Sequence, residues 1–300
     1  MLKNFLLFFF GFLLALPSIS AVWLRPSSIK QGEIIVVTGL YHQFGQSISF
    51  LGDCKLEFNN KDFPFYREVV NYEEFKNSGG ISGYQFIARI ATTPLTKVGK
   101  TDVVLACPNG KEAFNVQILA ENFPVQNIQL TDSKNSLQKT DKEDLAIKNA
   151  INTSSPYRLW DPVKQWVAPN TARRSAAYGL RRTYNGKLAE NYFHKGIDFA
   201  AFTGGAIVAP AKGKVALVGI EKDGFAVHGN CIFIDHGQGV VSAYLHLSEV
   251  LVKQGQEIQA GQLIGKVGDT GIATGPHLHF GIYVNGENVS PEPWLKFPIP

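Results

Sequence analysis

Histidine is the side chain that stands out for chemistry in this 300-residue sequence, since six of the seven histidines fall within the last 107 residues. In "HKGIDFAA", His194 and Asp198 lie four residues apart with Gly196 between them. In "PHLHF", His277 and His279 lie two apart in a stretch that alternates like a strand, so both face one side. Imidazole nitrogen and carboxylate oxygen bind zinc at about 2.0–2.2 Å, and glycine lets the backbone bring two ligands together. These motifs predict a metal site in which one member of the histidine pair binds the ion and the other moves protons or holds substrate.

A third motif, "SAYLHLS", contains His246 in another alternating stretch. Alternation predicts that Ser242, Tyr244, His246 and Ser248 share a polar face, while the opposite face belongs to the core. A single strand histidine is usually a hydrogen-bonded bystander, but H-x-x-x-D, Y-x-H and H-x-H within one β region together indicate an active metal site. The other three histidines are expected to be structural: a lone His42, His236 ordering a hairpin turn, and His228 at the surface.

Residues 166–295 resemble the lysostaphin-type zinc endopeptidases, which cut the peptide part of bacterial peptidoglycan. The resemblance rests on "HKGIDFAA", "VAPAKGKV", "GNCIFIDHGQGVVSAYLHLS", "VKQGQEIQAGQLIGKVGDTG" and "TGPHLHF". It implies that His194, Asp198 and His279 bind Zn²⁺ with water as the fourth ligand, and that His246 and His277 are the catalytic histidines. One departure is "AFTGGAIVAP", where the family usually has a proline after the glycine-small pair, and it touches no catalytic position.

Such a site would use histidine for proton transfer. Three protein ligands leave the fourth zinc position open, and zinc lowers the pKa of bound water to about 7. The sequence has no H-E-x-x-H motif and hence no glutamate base of that kind, whereas a histidine with a pKa of about 6.5 fits the task. We expect one of His246 and His277 to act as base and the other to stabilise the tetrahedral oxyanion, in an order that the sequence leaves open. Four nearby side chains have two interpretations each. Arg181 and Arg182 bind a substrate carboxylate or are solvated at the surface. Tyr244 donates a hydrogen bond to the site or packs in the strand, and Asp235 supports a catalytic histidine or starts a turn.

Two other functions compete with a peptidase. Some lysostaphin-like domains have lost metal ligands and act as wall-binding regulators that activate other wall hydrolases, but this sequence retains all five positions. A carrier or adhesin module of β-hairpins would leave the histidine set unexplained. The formal net charge of +4 is too small to predict a nucleic-acid partner. The expected partner is therefore a peptidoglycan peptide.

The rest of the sequence predicts an all-β protein with two domains. Residues 22–125 are short β-branched and aromatic runs cut by turn residues, which is typical of a β-sandwich-like accessory domain. Residues 126–165 are polar and are predicted to be a linker with one short helix, opened by the capping box Thr140-x-x-Glu143 and exposing its charges to solvent. Residues 166–300 return to alternating runs cut by glycine, and predict an antiparallel β domain that carries the zinc endopeptidase site.

The first 21 residues predict export. Lys3 precedes a 12-residue apolar run, residues 5–16, which is shorter than the roughly 20 residues of a membrane span and is followed by Pro17 and small residues. This is typical of a signal peptide, the alternative being an uncleaved anchor, and it predicts a periplasmic or cell-envelope protein that meets the membrane only through this segment. Oxidation outside the cytoplasm favours a Cys54–Cys107 disulfide, while Cys231 is expected to be a buried thiol. The N-terminal domain is expected to bind glycan, hold a regulatory partner, or cover the active cleft.

Overall fold

The computed structural model describes residues 19–41, 54–69, 84–108 and 110–299. The signal-peptide prediction falls on residues 1–21, of which 1–18 lie outside the described residues, and His42 lies outside them as well. Within the described ranges no helix is both long enough and apolar enough to cross a membrane.

The N-terminal region consists of two sheets that share one core. Its strands are β1 (Ile19–Arg25), β2 (Ser28–Lys30), β3 (Ile34–Tyr41), β4 (Lys55–Phe58), β5 (Lys61–Pro64), β6 (Tyr66–Val69), β7 (Tyr84–Ala91), β8 (Gly99–Cys107) and β9 (Gly110–Leu119). Among the described residues the sheet orders are β1-β3-β7-β6 and β2-β9-β8-β4-β5. Side chains from both sheets, such as Val37 and Ile90 from one and Leu56 and Leu105 from the other, form one buried cluster. The predicted β-sandwich is therefore confirmed.

A disulfide joins Cys54 and Cys107 at the edge of this core. The two cysteines come together because β4 and β8 pair antiparallel, with Lys55 opposite Ala106. Cys231 is a free, fully buried thiol, and burial raises its pKa to about 12. Both cysteine predictions are confirmed.

The middle segment contains more structure than a linker. It comprises β10 (Val125–Ile128), α1 (Asp132–Asn135) and α2 (Asp141–Ile151). Helix α2 begins where predicted, and the Thr140 side chain accepts a hydrogen bond from the backbone N–H of Glu143. One expectation is wrong: the Glu143 side chain is not solvated but fully buried. The reason is its position, since Glu143, Ile147 and Ala150 lie on one helix face, and that face packs against the large sheet.

The C-terminal region is built on one large antiparallel sheet, as predicted. Its path runs β11-β14-β21-β18-β17-β16-β19, and β15, β20 and β22 attach to it. The strands are β11 (Arg173–Ala176), β14 (Ile197–Ala200), β15 (Ala206–Val208), β16 (Gly213–Gly219), β17 (Asn230–Gly237), β18 (Val240–Val250), β19 (Glu257–Ile258), β20 (Leu263–Val267), β21 (Leu278–Val284) and β22 (Glu287–Val289), followed by α3 (Glu292–Lys296). A smaller sheet, β10-β12-β13, joins the middle segment to β12 (Arg181–Tyr184) and β13 (Lys187–Leu188), with β10 parallel to β12.

Strand β21 alternates as its sequence predicts. Leu278, Phe280, Ile282 and Val284 all enter the main core cluster, so His279 and Tyr283 face the other way. The face of the sheet that carries His279 and Tyr283 is partly covered, because Tyr283 joins a second buried cluster that includes Ile147 of α2. The middle segment therefore covers part of the sheet face that carries the histidines.

The sandwich contacts the large sheet at the far end of β21 from these histidines. Tyr66 donates a hydrogen bond to Asn285 Oδ1 over 3.0 Å, and the Asn285 amide donates to the carbonyl of Arg89 over 2.8 Å. The guanidinium of Arg89, fully buried in β7, donates to Gln238 over 2.8 Å. Asn285 immediately follows the last residue of β21, whereas His277 immediately precedes the first.

Candidate metal centre and active site

Strand pairing brings three predicted ligands together. Asp198 in β14 is the direct partner of His279 in β21, and His194 precedes β14 on the same side. Asp198 Oδ1 lies 2.9 Å from His194 Nε2 and 2.9 Å from His279 Nδ1, and the two nitrogens are 2.9 Å apart. All three residues are buried. The structure thus gathers two imidazole nitrogens and one carboxylate oxygen at a single point.

The local backbone explains this convergence. A Cβ atom at Gly196 would lie 2.2 Å from the carbonyl oxygen of Phe280, so the turn between His194 and Asp198 can press against β21 only with glycine there. His194 Nδ1 lies 2.7 Å from the carbonyl oxygen of Ala177. Because a carbonyl only accepts, Nδ1 carries the proton and Nε2 presents its lone pair to the cluster.

The ionisation of the cluster suits a divalent cation. Burial would raise the pKa of Asp198, but the neighbouring His194 and His279 outweigh burial and hold that pKa well below its usual range. Burial lowers the pKa of His279 to about 4, against the opposing hydrogen bond to Asp198. Asp198 is therefore a carboxylate and His279 a neutral imidazole at pH 7, which are the forms that bind metal ions.

The other two predicted histidines lie beside the cluster. The ring centroids of His246 and His277 are 4.9 Å apart, and those of His246 and His279 are 6.2 Å apart. His277 Nε2 lies 4.0 Å from Asp198 Oδ1. His246 Nδ1 and His277 Nδ1 each lie 2.8 Å from a backbone carbonyl oxygen, so both carry the proton on Nδ1. Burial first, and then the nearby His277 and His279, lower the pKa of His246 well below its usual range, which leaves a neutral ring with Nε2 free to accept a proton.

The position of His246 on its strand differs from the prediction. Simple alternation would place it on the face of Tyr244, which is fully buried in the main core. Instead the backbone of His246 is left-handed, with φ of 66°, and the pairing of β17 with β18 shifts register between the Tyr244 and Leu247 partners. Such a bulge re-aims a side chain, and here it turns His246 toward His279 while Leu247 returns to the core. The predicted polar face of β18 is therefore wrong, although His246 still reaches the cluster.

An open cleft of about 300 Å³ leads to these residues. The loop of residues 272–276 forms one part of its lining, and β10 and β12 form another through Gln126, Ile128, Arg182 and Tyr184. Arg182 donates to Asp198 Oδ2 over 3.3 Å and to Gln126 Oε1 over 3.2 Å. The middle segment therefore contributes to the cleft, which the sequence interpretation as a linker missed.

The remaining predicted residues are structural. Tyr244 forms a hydrogen bond with Ser242 inside the core, so it packs there and does not contact the site. Asp235 accepts from Gly237 N–H over 2.8 Å, so it starts the turn and does not support a catalytic histidine. His236 is not in the turn but inside β17, fully buried, 2.8 Å from both the Lys212 carbonyl oxygen and Ser242 Oγ. His228 is partly exposed, so it lies near the surface as predicted, but its Nδ1 also lies 2.6 Å from the buried Glu143 Oε1, which the sequence did not indicate.

Comparison with known proteins places these residues in a family context. The sequence model of Peptidase family M23 matches residues 192–291, a range that contains all five predicted site residues. Peptidoglycan DD-endopeptidase ShyA of Vibrio cholerae is 41% identical over 97 residues, which cover 32% of this chain and 22% of ShyA. Murein hydrolase activator NlpD of Salmonella typhimurium is 37% identical over 142 residues, which cover 45% of this chain and 37% of NlpD. The chain thus spans well under half the length of these curated relatives.

A likeness over most of the chain comes from a solved structure. The crystal structure of a candidate M23 peptidase from Pseudomonas aeruginosa aligns with a TM-score of 0.59 and 25% identity, covering 88% of this chain and 94% of that one. The alignment therefore includes the N-terminal region as well as the large sheet, and agrees with an all-β protein of two parts. Residues 192–291 thus match a Peptidase family M23 domain, which confirms the resemblance of this region to the lysostaphin-type endopeptidases.

Proposed function

We propose that this protein is a zinc-dependent endopeptidase that hydrolyses stem peptides or peptide cross-links of bacterial peptidoglycan. The observation that carries the proposal is the convergence of His194, Asp198 and His279 with two further imidazoles in one cleft. Structural histidines are usually isolated and hydrogen-bonded, whereas here four histidines and one carboxylate meet at the base of a cleft.

The three convergent donors fit zinc. Two imidazoles and one carboxylate are a common catalytic zinc set, which leaves the fourth position for water or substrate. Ligand atoms about 2.0–2.2 Å from a tetrahedral ion lie roughly 3.3–3.6 Å from each other. The 2.9 Å between these donors is therefore short of that spacing by only about half an ångström. We assign His194 Nε2, Asp198 Oδ1 and His279 Nδ1 as the ligand atoms. When bound, zinc would supply a water of lowered pKa and polarise the scissile carbonyl.

The other steps fall to this chain's own side chains. His246 and His277 are each held at Nδ1 by a backbone carbonyl, which leaves Nε2 of both rings as the atom available for proton transfer. In the mechanism one of the two rings takes a proton from the attacking water at Nε2. That ring then gives the proton to the leaving amine, while the other ring, when protonated at Nε2, donates a hydrogen bond to the tetrahedral oxyanion. Backbone carbonyls at Thr270 and Gly275 keep the two rings in the required tautomer.

The cleft fits an extended peptide. It is open along its length and offers the cationic Arg182 near the proposed metal position, where a substrate carboxylate could be met. The similarity to a relative named as a peptidoglycan DD-endopeptidase favours bonds between D-amino acids as the target. Similarity to wall-acting proteins, together with the apolar N-terminal segment, supports export to the periplasm or cell envelope.

The test is hydrolysis of purified sacculi and defined muropeptides, with products identified by mass spectrometry. His194→Ala and Asp198→Ala are expected to lose both bound zinc and turnover, and chelation followed by zinc should abolish and restore wild-type activity. His246→Ala is expected to keep zinc and lose turnover. Glu257→Gln, which neutralises an exposed carboxylate in β19, is the matched control and should behave as wild type. Wild-type rates in His246→Ala would refute the assigned roles.

A second candidate function is activation of another wall hydrolase. The similarity to a murein hydrolase activator over 142 residues favours it. An activator needs its surface but not its metal site, so Asp198→Ala would still stimulate a partner amidase or endopeptidase in a mixed digestion. Stimulation by that variant, with no hydrolysis by the wild type alone, would select this function.

For the N-terminal sandwich we propose a role in holding glycan or a regulatory partner. Its hydrogen bonds to Asn285 lie at the other end of β21 from the cleft. The alternative that it holds the enzyme latent predicts a faster rate for residues 125–300, which keep the middle segment that lines the cleft, than for the mature chain. Equal or slower rates would remove latency. The boundaries at residues 22, 126 and 166 stay predictions.

A further inference from the structure

Glu143 of α2 lies outside the residues that match the family model, and it is the centre of a hydrogen-bond cluster with residues inside that range. Its side chain is fully buried, and its carboxylate lies 2.8 Å from the backbone N–H of His228, 3.2 Å from that of Val227 and 2.6 Å from His228 Nδ1. A carboxylate only accepts, so all three are donors to Glu143. The helix thereby fixes the loop that connects β16 to β17.

This loop is joined directly to His246. The backbone N–H of His246 donates to the carbonyl oxygen of His228 over 3.1 Å. That bond forms at the residue whose left-handed φ of 66° creates the bulge in β18. A non-glycine residue keeps such a backbone only where its surroundings hold it, so the His228 carbonyl is part of what holds it.

A second loop completes the support of the same ring. The Thr270 carbonyl oxygen accepts from His246 Nδ1 over 2.8 Å, and Thr270 Oγ1 accepts from Asn230 N–H over 3.0 Å. Lys134 of α1 donates to the carbonyls of Asp269 and Gly271 on either side. The middle segment therefore braces both loops that contact His246, one through Glu143 and the other through Lys134.

We propose that Glu143 is a positioning residue for the peptidase, which holds the His228 carbonyl and thereby the bulge that aims His246 at the metal cluster. The assignment rests on the proposed function of His246. Burial acts to raise the pKa of Glu143, but the His228 ring and the two backbone N–H groups outweigh it and lower that pKa, so the group accepts from all three donors as a carboxylate. A neutral amide of the same shape has one oxygen and would turn its NH₂ group toward donors.

The decisive variant is Glu143→Gln in the full-length protein. Its matched control is Asp144→Asn, which removes one charge from the next residue of the same helix, where the carboxylate is exposed and forms an ion pair with Lys139. We expect Glu143→Gln to lower kcat by about 10-fold to 100-fold, since displacement of a catalytic group by about 1 Å has effects of that size. KM and zinc content should stay near wild type, because the ligands His194, Asp198 and His279 lie on or beside β14 and β21 and not on β18. Asp144→Asn should change none of these quantities.

A second readout does not depend on turnover. NMR of the histidine side chains in zinc-loaded protein should show the His246 ring resonances displaced in Glu143→Gln and unchanged in Asp144→Asn. Glu143→Asp, which keeps the charge but is one methylene shorter, should give an intermediate kcat and decides the question if Glu143→Gln does not fold.

The outcomes separate the two proposals. Unchanged kcat and unchanged His246 resonances in a folded Glu143→Gln, or in Glu143→Asp if that is the variant that folds, would overturn the positioning role. A fall in zinc content together with kcat would also overturn it, because the effect would then not be specific to His246. If the wild type hydrolyses no wall peptide, the proposed function fails, and the NMR comparison alone decides whether Glu143 positions the ring.

Discussion

Acidification should destabilise the large sheet through His236, a residue that the catalytic mechanism does not use. The ring is fully buried, donates from Nδ1 to the Lys212 carbonyl and accepts at Nε2 from Ser242, so no lone pair is left for a second proton. Burial lowers its pKa to about 4, against the weaker opposing effect of the Lys212 bond. Protonation would force a charge into the core beside Trp166, whose ring centroid is 4.5 Å away.

The sign and size follow from proton linkage. The folded pKa of His236 is about 4 and the unfolded pKa about 6.5, so the unfolded chain binds more protons between these two values. The free energy of unfolding should therefore fall as the pH drops through this window. Between pH 7 and pH 4.5 the contribution of this one group is a loss of roughly 2 kcal/mol.

The assay compares wild type with His236→Gln. The glutamine amide can donate to one partner and accept from the other, but it does not titrate. Urea unfolding in the presence of a chelator, followed by tryptophan fluorescence, reports this region because Trp160, Trp166 and Trp294 pack together beside His236. We expect the wild type to lose roughly 2 kcal/mol more than the variant between pH 7 and pH 4.5. Parallel losses in the two proteins, or an NMR titration of His236 with a pKa near 6.5, would refute the reasoning.

Three further predictions test the supports of the site and the cleft. Gly229→Ala should lower the melting temperature and kcat but leave the zinc content unchanged, because φ is +66° at this residue and a Cβ atom would lie 2.3 Å from Thr270 Oγ1. Scanning calorimetry, kinetics and metal analysis measure these three effects. Cys231 should not react with a thiol reagent in the folded protein and should give one thiol per chain in denaturant without reductant; fast reaction of the native protein would contradict its burial and its raised pKa. Ile128→Asp should raise KM for muropeptides and leave the zinc content unchanged, since this side chain lines the cleft. Val125→Asp, on the exposed face of the same strand, should leave KM unchanged, and equal KM values for the two variants would show that β10 does not contact substrate.

Local sequence patterns were sufficient for much of this protein. The alternation of apolar residues correctly predicted which side chains of β21 face the core. Short apolar runs separated by turn residues predicted the sandwich, and Thr140 predicted the start of α2. These predictions succeed because each depends on neighbours within a few residues, which the sequence displays directly. The types and spacing of the histidines indicated a metal site in this region, and the resemblance to the lysostaphin-type endopeptidases implied its ligand set.

Two features could not be obtained in this way. Alternation placed His246 on the wrong face, because a bulge depends on the register of two neighbouring strands and not on β18 alone. The role of Glu143 was missed because the capping box suggested a bond within the helix. The spacing of Glu143, Ile147 and Ala150 along one buried helix face was the available signal.

The sequence by itself therefore determined the all-β class, the disulfide pair and the set of side chains capable of binding a metal. Only the tertiary structure decided that the middle segment is part of the cleft, and that His246 is aimed by contacts with loops far away in the chain. The physical reason is that hydrophobic periodicity specifies which face of a helix or strand is buried. Which element buries that face, and which buried polar groups then form hydrogen bonds, is fixed only when distant elements pack.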